Sequence, residues 1–492
     1  MKFWLGWMSW SRNGRFRRRR PKLMSPSIIV YEENRTYVLE QYHNGHFDYI
    51  EVIQEVAQRD FFNYVSRRGV LAELAKSYPW PRSKEEVPVW FYLAADMAMR
   101  LHGNHAFHGF PWVVRTGGLL TAFGPELGRK LIDPQNGSLR VECRGFNSKN
   151  DYPRQTPCDP DFLRKIAKDT PAEALMDWYN RDVVKVFREQ RYFDKAGIFI
   201  GDASYIFVPD NEHYEGSVKM LFDEHNHPVS AERQQTLSRA ELKKCRWRRC
   251  LKMISLLHTN AQGEFFLYAG VRILPGNVHE CPVLWEMVAE FVRCLGKGVM
   301  KDLIVDRGFL DGEQIGRVKT EYGIEVTIGV KRNMDILRDA LGLAKMPETK
   351  WTSYECPASE PPLPFKRHLS GPQPEHILKR EAARQRTLQL QKAATETTPS
   401  QPKSLRITRI AQLNSWSSCP APLDLVLCRE AGDEAWEHVW GILSTSRKEA
   451  PEAPLQRYHL RVLIEERHRH LKCFWDLADF SSPDFALVVN QV

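Results

Sequence analysis

AGIFIGDASYIFV, residues 196–208, is apolar and rich in β-branched and aromatic residues on either side of a single acid, Asp202. Such a run reads as a strand buried on both faces. A carboxylate inside it is costly to bury unless something pairs with it. A second run of the same kind, DLIVDRGF (302–309), carries Asp306 at the end of its apolar part. Between them CLKMISLLHT (250–259) and EFFLYAGVRIL (264–274) read as two strands joined by the turn NAQG. CPVLWEMVAEFVRCLGKG (281–298) reads as an amphipathic helix stopped by glycine. DGEQIGRVKTEYG and IEVTIGV then give a short helix and a further strand. Three strands, helix, strand, helix, strand predicts a mixed α/β sheet with hairpins first and crossovers later.

Outward from this core the pattern changes. Toward the N-terminus, VWFYLAADMAMRLHG and PCDPDFLRKIAKDTPAEALMDWYNRDVVKVFREQRYF show helical periodicity, the second with an Asp-Pro start signal. Toward the C-terminus, ASEPPLPF and TETTPSQPK are polar and rich in proline, and SLRITRIAQLNSW, PLDLVLCRE and HVWGILSTS read as short strands. The predicted boundaries are a disordered basic tail at 1–27, an all-helical domain at 28–190 and the first part of the α/β core at 191–344. A polar, proline-rich segment at 345–404, a β-rich insertion at 405–454 and a final core helix within 455–492 follow.

The 492 residues suffice for several cores. With 42% hydrophobic and 27% charged residues, most of the chain should fold as a globular protein. No run of about 18 apolar residues appears, so no membrane span is expected. The net charge of +9 lies almost wholly in the first 22 residues, which hold eight Lys/Arg and no acid. The overall balance therefore says little about nucleic acid, whereas that tail could bind phosphate as an arm. KKCRWRRCLK (243–252) is either a track for a DNA backbone or the exposed end of a hairpin. Ten cysteines without regular spacing fit reduced thiols of a cytoplasmic protein, and the His-rich stretches HNHAFHG, DEHNHPV and HRH read as surface or packing residues.

YHLRVLIEERHRHLK (458–472) reads as a helix crowded with charge. Tyr458, Arg461, Glu465 and Lys472 fall at roughly 0°, 300°, 340° and 320° around its axis, whereas Glu466 lies about 100° from Glu465. A phenol, a guanidinium, a carboxylate and an ammonium on one narrow face could grip a phosphate and hold a metal ion. Three acids brought together must protonate or bind cations, and Mg²⁺ suits carboxylate oxygens.

These motifs resemble a known family, the DDE transposases of bacterial insertion sequences with the signature Tyr-x2-Arg-x3-Glu-x6-Lys. GDASYIF and DRGFLDG are similar to the family's first and second aspartate motifs, and the N-terminal segments HAFHGFPWVVRTGGLL and KNDYPRQTPCDPDFLRK resemble its members as well. Val462 departs from the tryptophan that often follows the signature arginine. The resemblance implies an RNase H-like core, with Asp202, Asp306 and Glu465 as the catalytic residues and ligands of two Mg²⁺ ions for which Mn²⁺ substitutes. It implies that Tyr458, Arg461 and Lys472 contact DNA, with helices in 28–190 recognising the element's ends. Trp416, Trp436 and Trp440 are candidates to stack on a flipped base, although a place in the core of the insertion is the commoner role for any one of them. The implied partners are double-stranded DNA with terminal inverted repeats, target DNA and a second copy of the chain in a synaptic homodimer, in a bacterial nucleoid. The implied activity is cut-and-paste transposition; the alternatives are a truncated or domesticated transposase that binds DNA without catalysis, and an RNase H-like nuclease.

Overall fold

The computed structural model describes residues 159–356, 404–445, 449–473 and 482–492, together with 56–84, 87–102 and shorter pieces elsewhere. The chain divides into two compact units, one formed by 1–175, 366–385 and 479–492, the other by 176–365 and 386–478. Most of the expected basic tail and of the proline-rich segment lies outside the described residues. No described helix is long and apolar enough to cross a membrane.

The second unit is built on one ten-stranded mixed sheet. Its strands are β1 (Ile198–Val208), β2 (Val218–Phe222), β3 (Arg246–Thr259), β4 (Leu267–Pro275) and β5 (Asp302–Val305). They continue with β6 (Glu325–Gly329), β7 (Thr352–Glu355), β8 (Ser404–Leu413), β9 (Leu423–Glu430) and β10 (Trp440–Ser444). The order across the sheet is β7-β8-β9-β10-β6-β5-β1-β3, and β2 and β4 share the far edge of β3. β5 runs parallel to both β1 and β6, and the other pairs are antiparallel. Parallel pairs need crossovers. Helix α1 (Glu280–Leu295) lies between β4 and β5, and α2 (Gly312–Arg317) leads toward β6. The mixed sheet with hairpins first and crossovers later is thus present, and it is consistent with an RNase H-like transposase domain.

The structure departs from the sequence reading in several places, among them β7, a strand inside the segment 345–404 that reads as polar and proline-rich. β2 is not predicted by the sequence, because VKMLF is short and is flanked by polar residues, but it pairs with the charged start of β3, which therefore begins at Arg246 rather than Cys250. Helix α3 (Asp335–Ala344) was also unforeseen. The strands of 405–445 do form, yet they extend the core sheet: β10 pairs with β6 and carries β9, β8 and β7 outward.

Alternation along the strands sorts side chains to two faces. Phe199, Ile254, Leu303, Val305, Val326 and Ile328 join the apolar positions of α1 and α3 in one large cluster. Ile198, Ile200, Leu257 and Ile304 point the other way, to Leu460 and Ile464 of helix α4 (Glu452–Cys473). α1 and α4 therefore cover opposite faces. At Gly201 a Cβ would stand 2.7 Å from Leu284 of α1, so only glycine permits this approach.

The first unit contains the helices Val56–Arg68, Val70–Ser77, Val89–His102 and Pro160–Asp169, and the C-terminal helix Phe485–Gln491. Asp159 caps the fourth of these by accepting from the Asp161 N–H, with Pro160 in its first turn, as the sequence predicts. Tyr92, Phe62, Phe91 and Met99 are fully buried there, and Asn490 donates to the Tyr92 hydroxyl at 2.9 Å.

Candidate active site

Asp202 lies within β1 on the face covered by α4. Val305 pairs with Gly201 in parallel register, so the next residue on each strand, Asp306 and Asp202, stand side by side. Their backbones are about 4.8 Å apart at that spacing. β5 ends at Val305, so among the described residues no strand pairs with β1 on that side from Asp202 onward. The Asp306 carbonyl accepts from the Phe309 N–H at 2.9 Å, and buried Phe309 anchors the loop in the core on the α1 side. Nearby, buried Lys252 donates to Glu280 at 2.6 Å and to the Val278 carbonyl at 2.7 Å. Glu280 lies beside Gly308, 3.7 Å from where a Cβ would be, so this ion pair borders the Asp306 loop.

α4 runs along β1 in the same direction. Ile464 shares a cluster with Ile200, His468 Nδ1 is 3.4 Å from Asp202 Oδ2, and Lys472 donates to Ser204 Oγ at 2.6 Å. Four helical residues rise about 6 Å, and two strand residues span about 6.7 Å. The two steps nearly match, which lets one helix face follow one strand face for two turns. At the other end Arg457 grips Glu449 with two hydrogen bonds, 2.8 and 2.5 Å, and fixes the start of α4.

Arg461 gathers the charge. Its guanidinium is 3.1 Å from Glu465. Burial works against its charge, but Tyr458, Asp306, Glu465 and Asp202 outweigh burial and raise its pKa further. Burial, reinforced by Asp306 and opposed by Arg461, raises the Tyr458 phenol. Tyr458 lies over Gly329, where a Cβ would come within 2.8 Å of its hydroxyl. Glu466 is engaged elsewhere, with Arg469 and His470 of its own helix. Glu465 itself is turned outward, its side chain 59% exposed. The structure thus brings Asp202, Asp306, Tyr458, Arg461 and Lys472 to one face, with Glu465 at its rim. Among the described residues no three His, Cys, Asp or Glu side chains stand close enough together to hold a metal ion.

The tryptophans separate. Trp416 and Trp436 pack against the cluster on the α1 side, Trp436 beside Trp351 with ring centroids 6.3 Å apart. Trp440 starts β10, level with the residues just past Gly329, and shares its strand face with Ile442, which packs with Tyr458. It is one of the exposed large hydrophobic residues. One site residue escaped the sequence reading. His468 is buried against Asp202 and Ser255, whereas HRH reads as surface or packing residues with no part in the site. Its angular position, about 20° from Arg461 on the helix wheel, was the available signal.

Residues 221–492, more than half of the chain, match the transposase DDE domain family. The chain belongs to the DDE transposase family. The match takes in Asp306 and α4 and opens at Leu221, after β1 and Asp202. No curated protein matches the chain. A transposase of this family is an enzyme that acts on DNA, and the carboxylates on the α4 face are the transposase's candidate catalytic groups.

Proposed function

We propose that this transposase cuts DNA at the ends of an insertion sequence and joins the freed ends to target DNA. The observation that carries the reading is the side-by-side placement of Asp202 and Asp306 beneath an arginine whose charge both acids and Glu465 reinforce. In the first step a water oxygen bonds to the scissile phosphorus as the bond to the 3′-oxygen breaks, and that oxygen leaves with the electron pair and takes up a proton. In the second the 3′-oxygen bonds to a target phosphorus, loses its proton and displaces another 3′-oxygen. The number of phosphodiester bonds is conserved in the joining step, so no nucleotide cofactor is required.

Asp202, Asp306 and Glu465 offer the hard oxygen donors that suit Mg²⁺ or Mn²⁺. Glu465 must turn from Arg461 to join the other two. Ions held there by Asp202, Asp306 and Glu465 would supply activation of the attacking oxygen and offset charge on the leaving one. The Arg461 side chain keeps 19% of its surface exposed, and its guanidinium is the group this reading assigns to a phosphate oxygen. Lys472 adds a point charge beyond it, and Tyr458 a hydroxyl. Trp440, an exposed tryptophan, is the one this reading assigns to stacking on an unpaired base. DNA carrying terminal inverted repeats, with two transposase copies holding two ends, is the substrate assembly of this reading, and the helices of 28–190 are its end-recognition elements.

The test is cleavage of DNA bearing the ends that flank the gene, in Mg²⁺, by the wild type and by Asp202→Asn, Asp306→Asn and Glu465→Gln. Cuts that disappear in each variant while end binding persists support the reading. Full cleavage by any one of them would falsify it. End binding without cleavage by the wild type would instead identify a DNA-binding protein that no longer catalyses, and cleavage without joined products a nuclease.

A further inference from the structure

We infer that His468 is a positioning residue for the Asp202 carboxylate and that Ser255 in turn orients His468; this rests on the role given to Asp202 above. His468 is 4% exposed, one turn beyond Glu465 on α4. Its Nδ1 is 3.4 Å from Asp202 Oδ2 and its Nε2 is 3.2 Å from Ser255 Oγ. Ser255 is fully buried and is the antiparallel register partner of Asp202. The three side chains thus close a triangle between β1, β3 and α4. One tautomer satisfies it. With the proton on Nδ1 the imidazole turns its N–H side toward the carboxylate, 3.4 Å away, and Nε2 accepts from the Ser255 hydroxyl.

The physical need is clear from the strand. The terminal torsion of an aspartate is broad, so the backbone fixes where its carboxyl group stands and not how it is turned. A polar partner beside Oδ2, here at 3.4 Å, favours one turn of the carboxyl group and leaves Oδ1 for a cation. Partners of this kind hold metal-ligating groups in place, and losing one weakens metal binding by about 10–100-fold. The contact also ties Asp202 to the helix that carries Glu465, so docking of α4 and orientation of Asp202 are one event.

Three substitutions separate positioning from packing. His468→Asn keeps a donor near the place of Nδ1, His468→Gln reaches toward Ser255 and not Asp202, and His468→Leu removes both. The full-length protein is measured in two ways: Mn²⁺ binding by electron paramagnetic resonance without DNA, and the Mn²⁺ concentration for half-maximal end cleavage. End binding in a chelator is the control. We expect the Gln and Leu variants to need about 10–100-fold more Mn²⁺ in both measurements. The Asn variant should stay within a few-fold of wild type, and end binding should be unchanged in all three. If the Leu variant does not fold, the Asn and Gln pair decides. Equal Mn²⁺ dependence of Asn and Gln overturns the inference, whether both match the wild type or both lose binding. A wild type that neither binds Mn²⁺ nor cleaves would overturn the functional reading itself.

Discussion

Arg461 receives the charge of every acid proposed for the site, and its fork is what a lysine could not reproduce. Arg461→Lys keeps the charge and loses the second contact. A hydrogen bond to a charged group is worth about 1.5–3 kcal/mol, so cleavage should fall by about 10–100-fold, measured as single-turnover cutting at saturating DNA. The glycines under the site give a contrasting pair. Gly201→Ala drives a Cβ to within 2.7 Å of Leu284 and 3.0 Å of Val305, in a packed core. Overpacking of that kind costs about 1–3 kcal/mol, which urea unfolding would show as a lower midpoint. At Gly329 the atom met is the far end of Tyr458, which can move. Gly329→Ala should leave the urea midpoint almost unchanged and weaken end cleavage by displacing the phenol. A drop in stability as large as that of Gly201→Ala would contradict this account.

Among the elements, α4 and β1 explain how much of the site could be read from sequence. Asp202 and Asp306 stood out because each is an acid in an apolar run, and the charged face of α4 stood out because helical spacing is simple arithmetic. His468 did not, because its burial depends on a strand more than 200 residues earlier in the chain. β2 escaped for a related reason: VKMLF gains its place from pairing with the charged start of β3, which no local pattern reports. That start is now the exposed strand end allowed by one of the two readings of KKCRWRRCLK. Trp247 is 57% exposed between Arg246 and Arg248, and Arg248 stacks on Phe207 at 3.3 Å. If this strand end also tracks DNA, the double substitution Arg246→Ala, Arg248→Ala should lower the slope of log binding constant against log salt by about 2. An unchanged slope in filter binding across a salt series would assign it to the surface alone. The exposure of Val462, 53%, shows why the absence of a tryptophan there leaves the core intact.

Across the molecule, the proposed ligands come from β1, the end of β5 and α4, three segments that meet only in the folded sheet. A cation that binds them stabilises the fold by mass action, about 2.7 kcal/mol at a hundred times its dissociation constant. Mn²⁺ should therefore raise the wild-type melting temperature, and a chelator should return it. The double variant Asp202→Asn, Asp306→Asn should show no such rise. Equal shifts in both proteins would mean that the ion binds elsewhere.

The same arrangement sets an order in time. Asp202 leaves the ribosome about 260 residues ahead of Glu465, a delay of roughly 13–50 s at ordinary rates of elongation. From Asp306 onward the nascent chain carries both aspartates, and until α4 is made it lacks the helix that brings the arginine, the glutamate and the lysine. A polypeptide abandoned before α4 therefore lacks Arg461, Glu465 and Lys472, and the proposed ligand set is complete only once that helix has joined the sheet.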